Sequence, residues 1–236
     1  MAVFPPDFAT DAASLIVIAP HPDDDVLGCG ALLASVAGRI PVDVVYVTDG
    51  AASHRGSPTY PPERLRAVRE REAVCGLRRL GIDAAPRFLR WPDGLVPSAS
   101  DRGAASLLDV LRACIPLGPV AVAAPWRRDP HADHRAVASL VDAVLADRPA
   151  ATRIEYAVWL DVLGGGADAP RPDEGRTVAF DARPWRALKS AAISEHRSQL
   201  GHLITDAEWS FYLPDDLLAS ALGPVERFIV PHGVAV

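Results

Sequence analysis

The chain has 236 residues, 49% of them apolar, and its 24 basic and 30 acidic side chains give a formal charge of −6. That apolar content is enough for a substantial core, and the absence of a basic run argues against nucleic acid as a partner. The longest strongly apolar runs, Ser14 to Pro20 and Pro119 to Pro125, fall short of the roughly 20 residues a bilayer span needs.

Met1-Ala-Val-Phe-Pro-Pro-Asp lacks the basic-then-apolar form of a secretory leader. A cytoplasmic protein with no transmembrane segment is therefore expected, and the composition leaves a homo-oligomer open. Cys29, Cys75 and Cys114 are isolated from one another, so reduced core or near-core thiols are expected rather than a disulfide framework or a metal knuckle.

Leu15 to Ala19 is a short β-branched run that predicts a buried strand. It is followed at once by His21, Asp23, Asp24 and Asp25, and then by a helical pattern over Val26 to Gly38. A histidine and three carboxylates thus stand at a strand's carboxyl end, where open α/β sheets bind ligands. With Pro20 and Pro22 restricting the backbone, His21 and Asp24 can converge on one cation. Helix capping needs only one of the aspartates, and Asp25 suits either a cap or an orienting role behind the site.

Strand Val42 to Thr48 comes next, then a loop over Ala51 to Pro62 in which His54 is expected at the surface. Helix Glu63 to Leu80 carries Arg69 and Glu72 at a spacing that by itself reads as a solvated ion pair. A short strand over Arg87 to Trp91 leads into Pro92-Asp93-Gly94, a good turn sequence. Helix Ala104 to Cys114 precedes strand Val120 to Ala124.

After that strand come Asp129, His131, Asp133 and His134, followed by an amphipathic helix over Ala136 to Asp147. Taken alone, His131-x-x-His134 is a weak signal that Asp133 capping and a surface histidine would explain. Paired with the first cluster it completes a three-ligand set, which leaves a position open as catalytic zinc requires. Strand Ile154 to Leu160 and a loop over Gly164 to Gly175 follow, and the C-terminal third reads as less regular. Alternating strands and helices predict one α/β, Rossmann-like domain over residues 1–236, a mostly parallel sheet with helices on both faces.

Pro20-His-Pro-Asp-Asp-Asp25 and His131-Ala-Asp-His134 resemble the LmbE-like, or PIG-L-like, deacetylases. Thr48-Asp-Gly50, Arg69-Glu-Arg-Glu72, Leu80-Gly-Ile82, Trp91-Pro-Asp-Gly94 and Glu195-His-Arg-Ser-Gln199 agree in order along the chain. The resemblance implies zinc, or another divalent transition metal, on His21, Asp24 and His134. It implies Asp23 as general base, His131 as the group stabilising the oxyanion, and Arg69 and Asp93 as contacts to the sugar. Asp25 and Asp133 take supporting places behind the metal.

Two positions depart from the pattern: Asp25 stands where the family usually has glutamate, and Asp129 where some members have tyrosine. The implied activity is zinc-dependent removal of an acetyl or other acyl group from an N-acetylated sugar or glycoconjugate, with a protonated His131 beside the developing oxyanion. The alternatives are a hydrolase of another small-molecule amide, a metal-retaining sugar-binding module without catalysis, and a nucleotide-binding protein suggested by Gly28-Cys-Gly30.

Overall fold

The computed structural model describes residues 10–232 together with Phe4 and Phe8. Apart from Phe4, the segment read above for a leader lies outside the described residues. In chain order the elements are β1 (Leu15–Ala19), α1 (Asp24–Val36), β2 (Val42–Thr48), β3 (His54–Arg55), α2 (Pro62–Arg79), β4 (Arg87–Trp91), α3 (Ala105–Cys114), β5 (Val120–Pro125) and α4 (Ala132–Leu145). They continue with β6 (Ala151–Tyr156), α5 (Leu160–Leu163), β7 (Arg176–Asp181), α6 (Arg186–Ile193), β8 (Trp209–Ser210), α7 (Asp215–Ala221) and β9 (Val225–Val230).

Seven strands form one sheet in the order β4-β2-β1-β5-β6-β9-β7. The first five pair in parallel, and β9 runs antiparallel to both β6 and β7. The α/β, mostly parallel architecture is the expected one. Strand order reverses between β1 and β5, so the turns leaving these two strands diverge and open a crevice at their carboxyl ends. Both histidine clusters sit on those two turns.

The period-2 alternation of each strand divides the core between two faces. Leu15, Val17 and Ala19 pack with Val26, Leu32 and Leu77 on one side, whereas Ile16 and Ile18 pack with Leu111, Leu140 and Val141 on the other. Each such fully buried branched side chain contributes about 1.5–3 kcal/mol relative to exposure. The turns inherit their positions from this two-sided anchoring.

Three expectations need correction. The strand predicted over Ile154 to Leu160 is β6, which begins at Ala151 and ends at Tyr156; the chain then leaves the sheet because the amides of Val158 and Trp159 donate to Asp129 Oδ2 at 3.1 and 3.0 Å. The C-terminal third is more regular than expected, since β9 extends the sheet and α6 packs on α1 and α2. Gly28 and Gly30 lie inside α1, not in a phosphate turn; a Cβ at Gly28 would stand 2.3 Å from the Tyr156 ring, so close packing explains the glycine.

Further along α1, the amides of Ala31 and Leu32 donate to Glu226 Oε1 and Oε2 at 2.6 and 2.9 Å. Lys189 Nζ donates to the same Oε1 at 2.7 Å and to Leu27 O at 2.8 Å. A buried ion pair thus shares donors and an acceptor of the α1 ladder and ties α6 and β9 to it.

Candidate metal centre and active site

His21 follows β1, and α1 starts three residues later, so the turn is short. Its closure depends on Asp24, whose Oδ2 accepts from the His21 amide at 2.8 Å. The same oxygen lies 3.1 Å from His21 Nδ1 and 3.2 Å from His134 Nε2. On the other edge of the His21 ring, Nε2 lies 3.1 Å from Asp133 Oδ2 and 3.2 Å from Asp93 Oδ1. A neutral imidazole has one N–H and satisfies only one edge. With carboxylates on both edges, a cation, either a proton or a metal, is needed at the other.

His134 lies in the first turn of α4, fully buried, and both its ring nitrogens are outside hydrogen-bonding geometry. Its Nδ1 faces Asp129 Oδ1 at 3.3 Å. A carboxylate behind an imidazole whose other nitrogen points at a second carboxylate is the arrangement that orients a metal-binding histidine. Ligand atoms about 2.0–2.1 Å from a tetrahedral zinc lie roughly 3.3 Å apart, close to the 3.1 and 3.2 Å that separate Asp24 Oδ2 from His21 Nδ1 and His134 Nε2. The donor types present, imidazole nitrogen and carboxylate oxygen, fit a divalent cation.

His21, His131 and His134 each offer a nitrogen within 4.8 Å of the others, and so do His21, Asp93 and Asp133 with their ligand atoms. In the second group the carboxylates are already engaged. Asp133 accepts from the amides of Gly94 and Val96, and Asp93 from that of Ala52. The unpaired nitrogens of His134 distinguish the first region.

Without a metal the cluster holds protons. Burial opposes charge on His134, yet Asp24 and Asp129 raise it to about 9. Burial likewise opposes charge on His21, and Asp133, Asp24 and Asp93 raise it well above the ordinary histidine value. Burial would push Asp24 up, but His134 and His21 hold it well below the usual carboxylate range.

Asp23 occupies the N-cap position of α1, but its side chain makes no capping bond. Its Oδ2 instead accepts from Arg69 Nη2 at 3.0 Å. Burial raises the Asp23 carboxyl against the pull of Arg69. Arg69 does not form the expected surface pair with Glu72, since both are buried. Arg69 Nη1 donates to Gly50 O at 2.9 Å, and Glu72 accepts from the amide and hydroxyl of Ser198. Gly50 adopts φ +61°, and a Cβ there would lie 2.7 Å from the Arg69 guanidinium.

His131 caps α4: its Nδ1 accepts from the Asp133 amide at 3.2 Å. Capping thus falls to His131 and not to Asp133, whose carboxylate supports His21. Burial, reinforced by charge on His134 and His21, lowers His131 to about 4. Nδ1 is occupied by the Asp133 amide, which leaves Nε2 as the ring's remaining polar atom.

Asp93 follows β4, whose pairing with β2 shifts register where Arg90 takes φ 56°, a local strain of about 1–3 kcal/mol. Asp25 is fully buried, does not line the cleft, and is pushed up to about 7 by burial against the opposing pull of the Tyr46 hydroxyl. His54 is buried, not exposed; it pairs with Ser210 across the two-stranded ladder of β3 and β8 and meets the Tyr212 ring edge-on.

A cleft of about 210 Å³ opens over the cluster and reaches His21, Asp23, Asp24, Arg69, Asp93 and His131. Sequence reasoning missed Asp129, read there only as a departure from pattern. Gln199, which the sequence allows either at the pocket border or on a polar helix face, takes the first of these places. Gln199 is buried in the cleft wall and its Oε1 has no partner, while Nε2 reaches Ser53 and Ser198.

Residues 16–145 match the PIG-L family, described as GlcNAc-PI de-N-acetylase. The fold is similar to that of N,N'-diacetylchitobiose deacetylase from Pyrococcus horikoshii, at 24% identity, TM-score 0.62 and coverage of 89% of this chain and 74% of that one. It is similar to the zinc-inhibited form of teicoplanin deacetylase Orf2, at 21% identity, TM-score 0.65 and coverage of 94% and 100%. It is also similar to the 4-carboxy-2-hydroxymuconate hydratase GalB from Pseudomonas putida KT2440, at 17% identity, TM-score 0.63 and coverage of 92% and 95%. One architecture thus carries deacetylases and a hydratase, so chemistry has to be argued from the site.

Proposed function

We propose that this chain, which belongs to the PIG-L family, is a metal-dependent hydrolase that removes the acetyl or other acyl group from the amide nitrogen of an N-acetylated sugar or glycoconjugate. Membership makes it an enzyme of the de-N-acetylase class; the metal, the residue roles and the sugar are our reading. The observation that carries it is the buried His134, set between the carboxylates of Asp24 and Asp129 with neither ring nitrogen in hydrogen-bonding geometry, behind a cleft that His21 and Asp24 line.

In this reading His21 Nδ1, Asp24 and His134 Nε2 hold the cation, Asp133 and Asp93 back His21 on its other edge, and Asp129 backs His134. Asp25 packs behind the cluster. A divalent cation so held keeps net positive charge and supplies Lewis-acid activation of carbonyl and water. Asp23 takes a proton from the attacking water as oxygen bonds to the amide carbon. Arg69 holds one Asp23 oxygen in place, and burial keeps the carboxyl a stronger base than one in water.

As the carbonyl becomes tetrahedral, the N–H at His131 Nε2 donates to the developing oxyanion, a contact worth about 3 kcal/mol of barrier. Asp23 then passes its proton to the nitrogen as the C–N bond breaks. The products are a carboxylic acid and a free amine. Arg69 and Asp93 border the sugar.

Against a metal-retaining, non-catalytic module stand Asp23 and His131, both present and both lining the cleft. A hydrolase of a non-sugar amide is the second reading, favoured by the apolar side chains that share the cleft, Leu27, Trp159, Trp209, Phe211 and Leu213. Among the described residues no helix is long and apolar enough to cross a membrane, and the cytoplasmic placement belongs to this proposal, checked by fractionation. The test is a panel of N-acyl sugars and N-acyl amino compounds incubated with protein loaded with one equivalent of zinc, cobalt or iron. Excess zinc is avoided because a structural neighbour is known in a zinc-inhibited form. Amine release from an N-acyl sugar is expected; release from acyl amino compounds alone would refute the sugar assignment.

A further inference from the structure

A second concavity opens between α2 and the chain that follows α6, from Glu195 to Leu203. It measures about 410 Å³, within the size of small-molecule sites, and shares no lining residue with the cleft over the histidine cluster. Its α2 wall is a single stripe. Arg64, Val68, Arg71 and Cys75 stand at i, i+4, i+7 and i+11, positions that a helix stacks on one side, while Leu65, Arg69 and Leu77 are buried elsewhere on the same helix. Arg197 and Leu203 close the groove from the other segment.

Three guanidiniums and two carboxylates line this groove, and the acids are already engaged. Glu72 accepts from the amide and hydroxyl of Ser198 at 2.9 and 2.6 Å, and Glu195 accepts from Arg79 Nε at 2.6 Å. Arg64 donates to Thr59 O at 2.7 Å and lies over the Tyr60 ring at 4.6 Å, which fixes its position without neutralising its charge. Among the described residues the side chains of Arg71 and Arg197 have no hydrogen-bond or ion-pair partner. A merely solvated basic face needs neither a concavity nor an apolar floor. Here Val68, Cys75 and Leu203 are only half-buried beneath the guanidiniums, and unpaired positive charge gathers in one groove of a chain whose net charge is −6.

We infer that the groove is a second ligand site, distinct from the cleft, for a small phosphate monoester with an apolar body. Arginine's planar fork matches the oxygens of a phosphoryl group, and a phosphate monoester carries close to two negative charges near pH 7. Arg71 and Arg197 hold the phosphoryl group from two separate segments, Arg64 adds a third positive charge, and the apolar body lies on Val68 and Leu203. A dianion answers both unpaired guanidiniums; a neutral ligand answers neither.

Phenyl phosphate, inorganic phosphate and phenol are titrated by calorimetry into metal-loaded wild type, into Arg71→Gln/Arg197→Gln and into His134→Ala, the last to remove the cleft cation that would also attract phosphate. Both arginines are exposed, so the double variant should keep the parent's urea midpoint. One equivalent of phenyl phosphate is expected at the groove in wild type and His134→Ala alike, with inorganic phosphate weaker and phenol silent. The double variant should lose about 10–100-fold in affinity. Phosphate binding that vanishes in His134→Ala and persists in the double variant belongs to the cleft and overturns the second site, as does the absence of heat from both phosphates at about 10 mM. Equal affinity for phenyl phosphate and inorganic phosphate overturns the apolar body.

Discussion

Two buried charged clusters flank α1, and they differ in what they leave unsatisfied. At the Lys189–Glu226 pair both carboxylate oxygens accept a backbone amide, and the ammonium bonds a carboxylate and a carbonyl. At the cluster of His21, Asp24 and His134, carboxylates crowd both edges of one imidazole and the other ring has no hydrogen bond. The first is closed by the protein's own atoms and reads as structure. The second needs a cation, a proton or a metal, to close it, and an unsatisfied buried polar group of this kind marks a candidate functional site.

The sharpest way to break this contrast is to cut the satisfied pair. Lys189→Met leaves Glu226 charged and buried, and is expected to cost about 3–5 kcal/mol of unfolding free energy in urea titrations. The metal content per folded molecule should stay unchanged. Loss of metal at full stability would mean that the pair serves the centre and the contrast is false.

A second probe uses a buried histidine outside both clusters. Burial holds His196 down to about 3, so the folded protein keeps it neutral while the unfolded chain protonates it near pH 6.5. Its folded-state value is depressed; the associated stability is therefore complete above pH 6.5 and drains away as pH falls toward 3. The slope reaches about 1.4 kcal/mol per pH unit, and the total is up to about 5 kcal/mol. His196→Asn should flatten the acid limb of a stability curve measured by chemical denaturation; an unchanged slope would assign that limb to other groups.

A smaller effect is expected behind the unsatisfied centre. Asp129→Asn keeps the shape but removes the charge facing His134 Nδ1. Metal affinity, measured by competition with a chromophoric chelator, should fall about 10–100-fold while the fold is kept. An affinity within twofold of the parent would leave Asp129 only its role of holding Val158 and Trp159.

The contrast also explains what the sequence disclosed. The strands were legible because β-branched runs such as Leu15–Ala19 declare themselves locally, and the two clusters because each is contiguous and follows a strand. Arg69 looked like half of a surface pair because helix spacing is a local signal; its real partner, Asp23, is 46 residues away. Asp129 looked like a missing tyrosine because its role depends on amides 29 and 30 residues later. Lys189 and Glu226 gave no signal at all, since their pairing exists only once α6 and β9 pack on α1. His131 and Asp133 exchanged capping roles for the same reason: Asp133 is drawn to Gly94, Val96 and His21, a destination that the folded chain alone creates.

His134, whose ring nitrogens lack hydrogen bonds, is the residue whose loss should empty the metal site. Metal content by mass spectrometry, measured alongside acyl-group release on wild type, Asp23→Asn and His134→Ala, tests it most directly. We expect one equivalent and turnover in the wild type, one equivalent with turnover lowered about 10²–10⁴-fold in Asp23→Asn, and neither metal nor turnover in His134→Ala. A His134→Ala protein that holds a full equivalent of metal and still releases acyl groups would contradict the assignment.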